Sequence, residues 1–253
     1  MDQMNSTLWA SICARADATP LKQMAIDEAG RTMTFAEYRD ACEVSAAGLA
    51  DRGVGAGSVV SWILPSTIKS LVLAGALSRL AAVQNPILPI YRNKEIGFIV
   101  DQAKSELLIV PRQVRGFDFA AMAHELAAVN GVEVLVVDPE LPSGDPAKLV
   151  PFASTADDTR WLFYSSGTTA DPKGAMHSDA SISAASDGMQ SGCHISLEDK
   201  SAVVFPITHV GGLVWLFNSM QTGVELLMVE AFSPATSPQW LGDHGCTCAG
   251  AGT

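Results

Sequence analysis

Short apolar runs alternate along the chain with longer segments whose apolar residues recur every three or four positions. Thr34-Phe35-Ala36-Glu37 has the form of a capping box, in which Thr34 accepts from the N3 amide and Glu37 reaches back to the cap. Phe35, Tyr38, Cys42, Ala46 and Leu49 then follow at helical spacing, and Gly53 stands where a left-handed C-terminal cap belongs. The next run, 58–64, is short, β-branched and apolar and stops at Pro65, as a buried strand does. The same logic predicts helices over 67–81, 93–103 (capped by Asn93), 117–129, 179–190 and 212–221. It predicts strands over 82–88, 106–110, 132–137, 161–164, 202–205 and 224–229. Apolar strands separated by amphipathic helices imply parallel pairing through crossover helices. The expected fold class is therefore α/β, a doubly wound, mostly parallel sheet flanked by helices.

Two breaks in the pattern suggest how the chain is organised. Residues 139–159 carry four prolines and no sustained periodicity, which reads as a surface connector. Near the end, 239–245 reads as a helix finishing and 246–249 as a strand beginning, as though a unit were half drawn. The expected division is a first α/β subdomain over 55–190 and the beginning of a second, similar one made of 195–253 together with helices from 1–54.

Composition narrows the function classes. The chain has 253 residues, 48% hydrophobic and 17% charged, which is enough for a large core and excludes general disorder. Sixteen Lys and Arg against 27 Asp and Glu give a formal charge of −11. So acidic a protein lacks the footprint for gripping nucleic acid, and an anionic ligand must be held by local groups that override the overall field. Five scattered cysteines without a C-x-x-C fit a reducing compartment. The N-terminus has no basic region before an apolar run, and the most apolar stretch, 71–83, contains Arg79 and is too short to span a bilayer. A soluble, cytoplasmic protein is expected.

The candidate chemistry lies in Ser165-Ser166-Gly167-Thr168-Thr169-Ala170-Asp171-Pro172-Lys173-Gly174, directly after a predicted buried strand. Open α/β sheets bind ligands at that end of their strands. Four hydroxyls in five residues, a glycine and one lysine make a polyphosphate cradle: backbone amides and hydroxyls donate to phosphate oxygens, and the lysine adds a mobile charge. A Walker-type P-loop does not fit, because Lys173 precedes Gly174 and not the hydroxyl residue that would hold Mg²⁺. A lone histidine after a strand, such as His209, is usually structural. His244, Cys246 and Cys248 alternate as a metal trio would, but a core strand of small residues explains them more simply, and no metal ligand is assigned. Cys193 and His194 are adjacent, and adjacent side chains rarely face each other.

The loop resembles the signature of the adenylate-forming enzymes, which include acyl-CoA synthetases, luciferases and peptide-synthetase adenylation domains. That signature reads approximately [ST]-[ST]-G-[ST]-T-G-x-P-K-G, with Ala170 here where glycine is usual. Thr32–Tyr38 resembles the family's T-[LY]-T-Y-x-E-L opening, and Leu49–Pro65 its L-x-x-x-G-V-x-x-G-D-x-V-x-x-x-x-P stretch, with Ser58 for the usual Asp. Asn85–Pro89 falls at a proline-containing loop, and Phe205–Gly212 matches P-x-x-H-x-x-G. Asp179 stands where many relatives carry histidine. The resemblance runs in order through nearly the whole chain and is closest to acyl-CoA synthetases and fatty-acid–CoA ligases.

It implies a two-step ligase: a carboxylate attacks the α-phosphorus of ATP to give an acyl-adenylate and pyrophosphate, and a thiol, most often coenzyme A, takes the acyl group. Lys173 and His209 would be the catalytic residues. Ser165, Ser166, Gly167, Thr168, Thr169, Lys173 and Gly174 would hold the β- and γ-phosphates, while His209, Gly211 and Gly212 would border the acid. ATP, Mg²⁺ and coenzyme A are the implied cofactors and co-substrates, a small carboxylic acid (medium-chain or alicyclic) the substrate, and a homodimer is allowed. Family members are about twice as long, so residues 1–253 would be the N-terminal part of the large domain. The Mg²⁺-holding glutamate, the ribose-binding aspartate, the hinge and a late lysine would then lie past Thr253, leaving a site incomplete by itself. Loading of a carrier protein, or nucleotide binding without catalysis, are the alternative readings.

Overall fold

Thr34 caps the helix the pattern placed there: its Oγ1 accepts from the Glu37 amide at 3.3 Å, and the Glu37 carboxylate accepts from the Thr34 amide at 2.8 Å. The computed structural model of the protein describes residues 6–165 and 172–250. They open with α1 (Leu8–Ala18), β1 (Gln23–Asp27), β2 (Thr32–Thr34) and α2 (Phe35–Ala50). The alternating strands and helices follow: β3 (Val59–Trp62), α3 (Ile68–Arg79), β4 (Val83–Pro86), α4 (Asn93–Ala103) and β5 (Leu107–Pro111). A two-residue hairpin, β6 (Gln113–Val114) and β7 (Phe117–Asp118), precedes α5 (Phe119–Asn130) and β8 (Glu133–Val137). Then come β9 (Thr159–Ser165), β10 (Lys173–Ser178), α6 (Asp179–Cys193), β11 (Lys200–Val203), α7 (Val210–Thr222), β12 (Glu225–Met228), α8 (Ser237–Asp243) and β13 (Cys248–Ala249).

The strands form two main sheets. The first has the order β10-β9-β4-β3-β5-β8, parallel except for β10, which runs antiparallel to β9 along the edge. The second has the order β13-β11-β12-β1-β2, parallel except for β2. Helices cover both faces, as parallel sheets require. One apolar cluster joins α4 and α5 to the outer face of the first sheet through Ile96, Ile99, Leu108, Val110 and Phe119. A larger one fills the space between the sheets with residues of α1, α2, α3 and α7, closing on Trp62 and Trp161 from one sheet and Met24 and Leu226 from the other. A small third cluster seats α8, through Leu241, on the far face of the second sheet.

The α/β class and every predicted helix and strand are present, with shifted ends. The cap of α4 is Arg92 and not Asn93, because Glu95 reaches back to the Arg92 amide (3.3 Å). Phe117 and Asp118 leave the predicted 117–129 helix to make the small hairpin, and the Asp118 carboxylate caps α5 by accepting from Ala121. The connector 139–159 lies tightly across α2. Gly48 and Gly144 face each other so closely that a Cβ on Gly48 would come within 2.5 Å of the Ser143 nitrogen. Among the described residues, no helix is long and apolar enough to cross a membrane.

Candidate functional site

The two sheets direct the carboxyl ends of their parallel strands at a common cleft. Its cavity is about 470 Å³. Leu64, Pro65 and Ser66 follow β3, Leu88 and Pro89 follow β4, Val204 and Phe205 follow β11, and Val229 and Glu230 follow β12; all line it. The Ser66 hydroxyl accepts from the Ile207 amide at 3.0 Å and stitches the turn after β11 to the first sheet. Arg92 also lines the cleft, but its guanidinium lies 4.3 Å over the Phe117 ring and donates to the Pro89, Ile90 and Tyr91 carbonyls. Its charge is thus spent on holding the loop after β4.

Beside the cleft lies a smaller chamber of about 200 Å³, and His209 lines both. Pro206 turns the chain after β11, the His209 amide donates back to the Pro206 carbonyl at 2.8 Å, and α7 begins one residue later. The His209 Nδ1 accepts from the Gly211 amide at 3.0 Å, so the imidazole itself caps α7. That bond requires an unprotonated Nδ1 and leaves the proton on Nε2. Burial lowers the His209 pKa below the usual histidine value, which also favours the neutral ring. The ring stacks on Phe205 with centroids 5.6 Å apart. Gly212 is fixed by close approach: a Cβ there would sit 2.2 Å from the Pro206 carbonyl oxygen.

On the other wall, β9 delivers Phe163, Tyr164 and Ser165 to the chamber, and the returning β10 delivers Ala175 and His177. Ser165 pairs across the hairpin with Lys173, and Tyr164 with Gly174. A Cβ on Gly174 would come within 2.9 Å of the Tyr164 ring, so a glycine lets that ring lie across the returning strand. Lys173 is exposed and forms no ion pair with any described residue.

Of the residues singled out from sequence, the structure brings Ser165 and His209 together around one chamber. Gly211 and Gly212 lie directly behind His209 in the first turn of α7, and Lys173 and Gly174 sit at the mouth of the hairpin. Ser166, Gly167, Thr168 and Thr169 lie outside the described residues. Three residues escaped sequence reasoning. Ser66 and Thr208 carried no periodic signal. Asp179, noted only as a departure, turns out to be 3% exposed and to accept from the Leu8 amide (2.9 Å) and the Trp161 indole (2.8 Å), linking α1 to β9. Burial raises its pKa against the opposing pull of those two donors. The tail residues do not converge: His244 caps α8 and packs on Trp240, and Cys246 bonds the Cys248 carbonyl. Among the described residues no three His, Cys, Asp or Glu gather in a way that could hold a metal.

Comparison with known proteins bears on the family and the fold. A family model described as AMP-binding enzyme matches residues 13–251. A probable CoA ligase of Humulus lupulus is 27% identical over 85% of the chain, and 4-coumarate–CoA ligase 5 of Oryza sativa subsp. japonica 30% identical over 87%. The chain spans 42% of the length of each. The crystal structure of a long-chain-fatty-acid–CoA ligase from Archaeoglobus fulgidus superposes with a TM-score of 0.86 at 21% identity, over 96% of this chain and 50% of that one.

Proposed function

The chain belongs to the AMP-binding enzyme family, and from that premise we propose that it carries the phosphate-binding part of an ATP-dependent acid–thiol ligase. In the first step a carboxylate oxygen bonds to the α-phosphorus of ATP and the bond to the bridging oxygen of the β-phosphate breaks, releasing pyrophosphate. In the second, the sulfur of coenzyme A attacks the acyl carbon, AMP leaves and the thiol proton is given up. The observation that carries the reading is that Ser165, paired across strands with Lys173, and His209 line one chamber at the ends of both sheets.

Each residue has a physical role in this reading. Acid and ATP are both anions, so neutralisation and positioning dominate the first step. The Lys173 ammonium, in no ion pair with any described residue, would sit against the phosphate chain with Ser165, Ser166, Gly167, Thr168, Thr169 and Gly174. His209, neutral and held by its Nδ1 bond, would border the acid and present Nε2–H as a donor, with Gly211 and Gly212 allowing close approach behind it. Mg²⁺ is assigned no ligand among the described residues and no step. For the acid we favour a medium-chain or alicyclic one, on the resemblance of the Asn85–Tyr91 stretch to ligases of such acids.

Two measurements test the reading. ATP binding to the chain, followed calorimetrically, is expected to weaken at least tenfold in Lys173→Ala. ATP–pyrophosphate exchange with medium-chain acids is expected to be slow on the 253-residue chain, whose site the reading makes incomplete. Undiminished ATP affinity in Lys173→Ala would remove the lysine from the phosphate site, and robust exchange would show that the chain suffices.

A further inference from the structure

The turn that presents His209 also holds a threonine with no evident structural task. Thr208 lies between the Ile207 amide, tied to Ser66, and the His209 amide, tied to Pro206. It is 2% exposed, and its Oγ1 has no hydrogen-bond partner among the described residues. Buried hydroxyls are almost always satisfied, and a methyl of the same shape would fill this position without desolvating a polar group. A buried hydroxyl with no partner among the described residues has a donor to offer a bound molecule.

Its surroundings define that partner. Thr208 lines the 200 Å³ chamber with Ser165, His177 and His209. The rest of the described lining is apolar or aromatic and contains no Asp or Glu, although the chain as a whole carries a net charge of −11. The chamber adjoins the start of α7, a 13-residue helix whose N-terminal end favours negative charge. Hydroxyl and imidazole donors, a helix N-terminus and an absence of carboxylates together suit an anionic oxygen. A cavity of about 150 Å³ accommodates a benzene molecule, so this chamber has room for a phosphoryl or carboxyl group.

We propose that the Thr208 hydroxyl is a ligand-binding group of this site, donating a hydrogen bond to an anionic oxygen of the molecule held in the chamber. The inference rests on the ligase reading, which supplies two sources of such an oxygen: the phosphate chain of ATP and the carboxylate of the acid. The donor adds to those of Ser165 and His209, which line the same chamber.

Thr208→Val and Thr208→Ser test it, with thermal unfolding of the free chain and calorimetric titration of ATP, inorganic pyrophosphate and hexanoate. Thr208→Val is expected to melt at or above the wild-type temperature, because no group of the protein loses a bond. It is expected to weaken binding about tenfold or more, and Thr208→Ser to restore it. A loss shared by ATP and pyrophosphate identifies a phosphoryl oxygen, and a loss confined to hexanoate identifies the carboxylate; either supports the proposal. Unchanged affinity for all three ligands would overturn it, as would a lowered melting temperature in Thr208→Val, which would mean the hydroxyl already serves the fold. If ATP binding falls in Lys173→Ala while every affinity survives Thr208→Val, this inference alone fails. If the wild-type chain binds none of the three, the ligase reading fails and takes the inference with it.

Discussion

Gly212→Ala is the sharpest test of how the His209 turn is built. The added Cβ would lie 2.2 Å from the Pro206 oxygen, 2.7 Å from the Pro206 carbonyl carbon and 2.8 Å from the Ile207 Cα, all of them backbone atoms. No flexible side chain can yield, so the first turn of α7 and the Pro206–Ile207 segment must separate by about 1 Å. That segment is held by the Ser66 hydroxyl on one side and by the His209 amide on the other. Moving it strains both bonds, and a cost of about 3 kcal/mol or more is expected. For a chain of this size that lowers the melting temperature by about 6–12 °C. Gly188 provides the control: it lies within α6, exposed, and a Cβ there would meet nothing within 4 Å. Gly188→Ala should therefore stabilise by about 1 kcal/mol through helix propensity alone. Gly211→Ala should fall between them, since its nearest neighbour, 3.2 Å away, is the His209 Nδ1 of a side chain that can shift. Differential scanning calorimetry of the three variants orders them. A Gly212→Ala protein melting with the wild type would refute the claim that close backbone approach selects glycine there.

The remaining predictions concern charge and capping. His209→Ala removes the side chain that accepts from the Gly211 amide and should cost about 1 kcal/mol, while His209→Asn, which can still cap, should cost less. Because burial lowers the His209 pKa below its unfolded value, its contribution is complete above the unfolded pKa and is lost as pH falls through the folded one. Urea titrations between pH 7 and 5 should show that loss in the wild type and a flatter profile in His209→Asn. Asp179 has the opposite sign: its pKa is raised by burial, so its contribution is complete below the unfolded pKa and declines as pH rises through the folded one. Asp179→Ala strips the acceptor from the Leu8 amide and the Trp161 indole at once, and at about 1–3 kcal/mol for each donor left unpaired it should destabilise by about 2–6 kcal/mol. A Trp161 fluorescence and melting profile identical to the wild type would refute that linkage.

How much of this was legible in the residues depends on whether a signal was local. Capping at Thr34, the run 58–64 and the apolar strands 132–137 and 202–205 announce themselves through neighbours a few positions away, and the structure agrees with them. β1, β2 and β10 did not, because their identity comes from partners far along the chain. β10 is mostly exposed and carries no apolar alternation, and it is a strand because it returns alongside β9. Likewise the hydroxyl density of residues 165–169 and the Pro206–His209 spacing were what pointed to a candidate site, whereas Ser66 and Thr208 acquire meaning only once two sheets meet. Asp179 could have been found as an acidic residue directly after a serine cap, but its task, bonding to α1, lies 171 positions away.

The placement of β1 has a consequence for how the polypeptide comes into being. Ala25, Ile26 and Asp27 pair with Leu226, Leu227 and Met228, and the Gln23 side-chain Nε2 donates to the Glu225 carboxylate across 202 positions. β1 thus waits for a strand about 200 residues later in the chain before it gains its parallel neighbour. Such long closures are slow relative to local helix formation. During synthesis the sheet built from β3, β4, β5 and β8 can assemble while β1 and its hairpin partner β2 remain a tether without a seat, so of the two sheets the second, and with it the far half of the cleft, is the later to close.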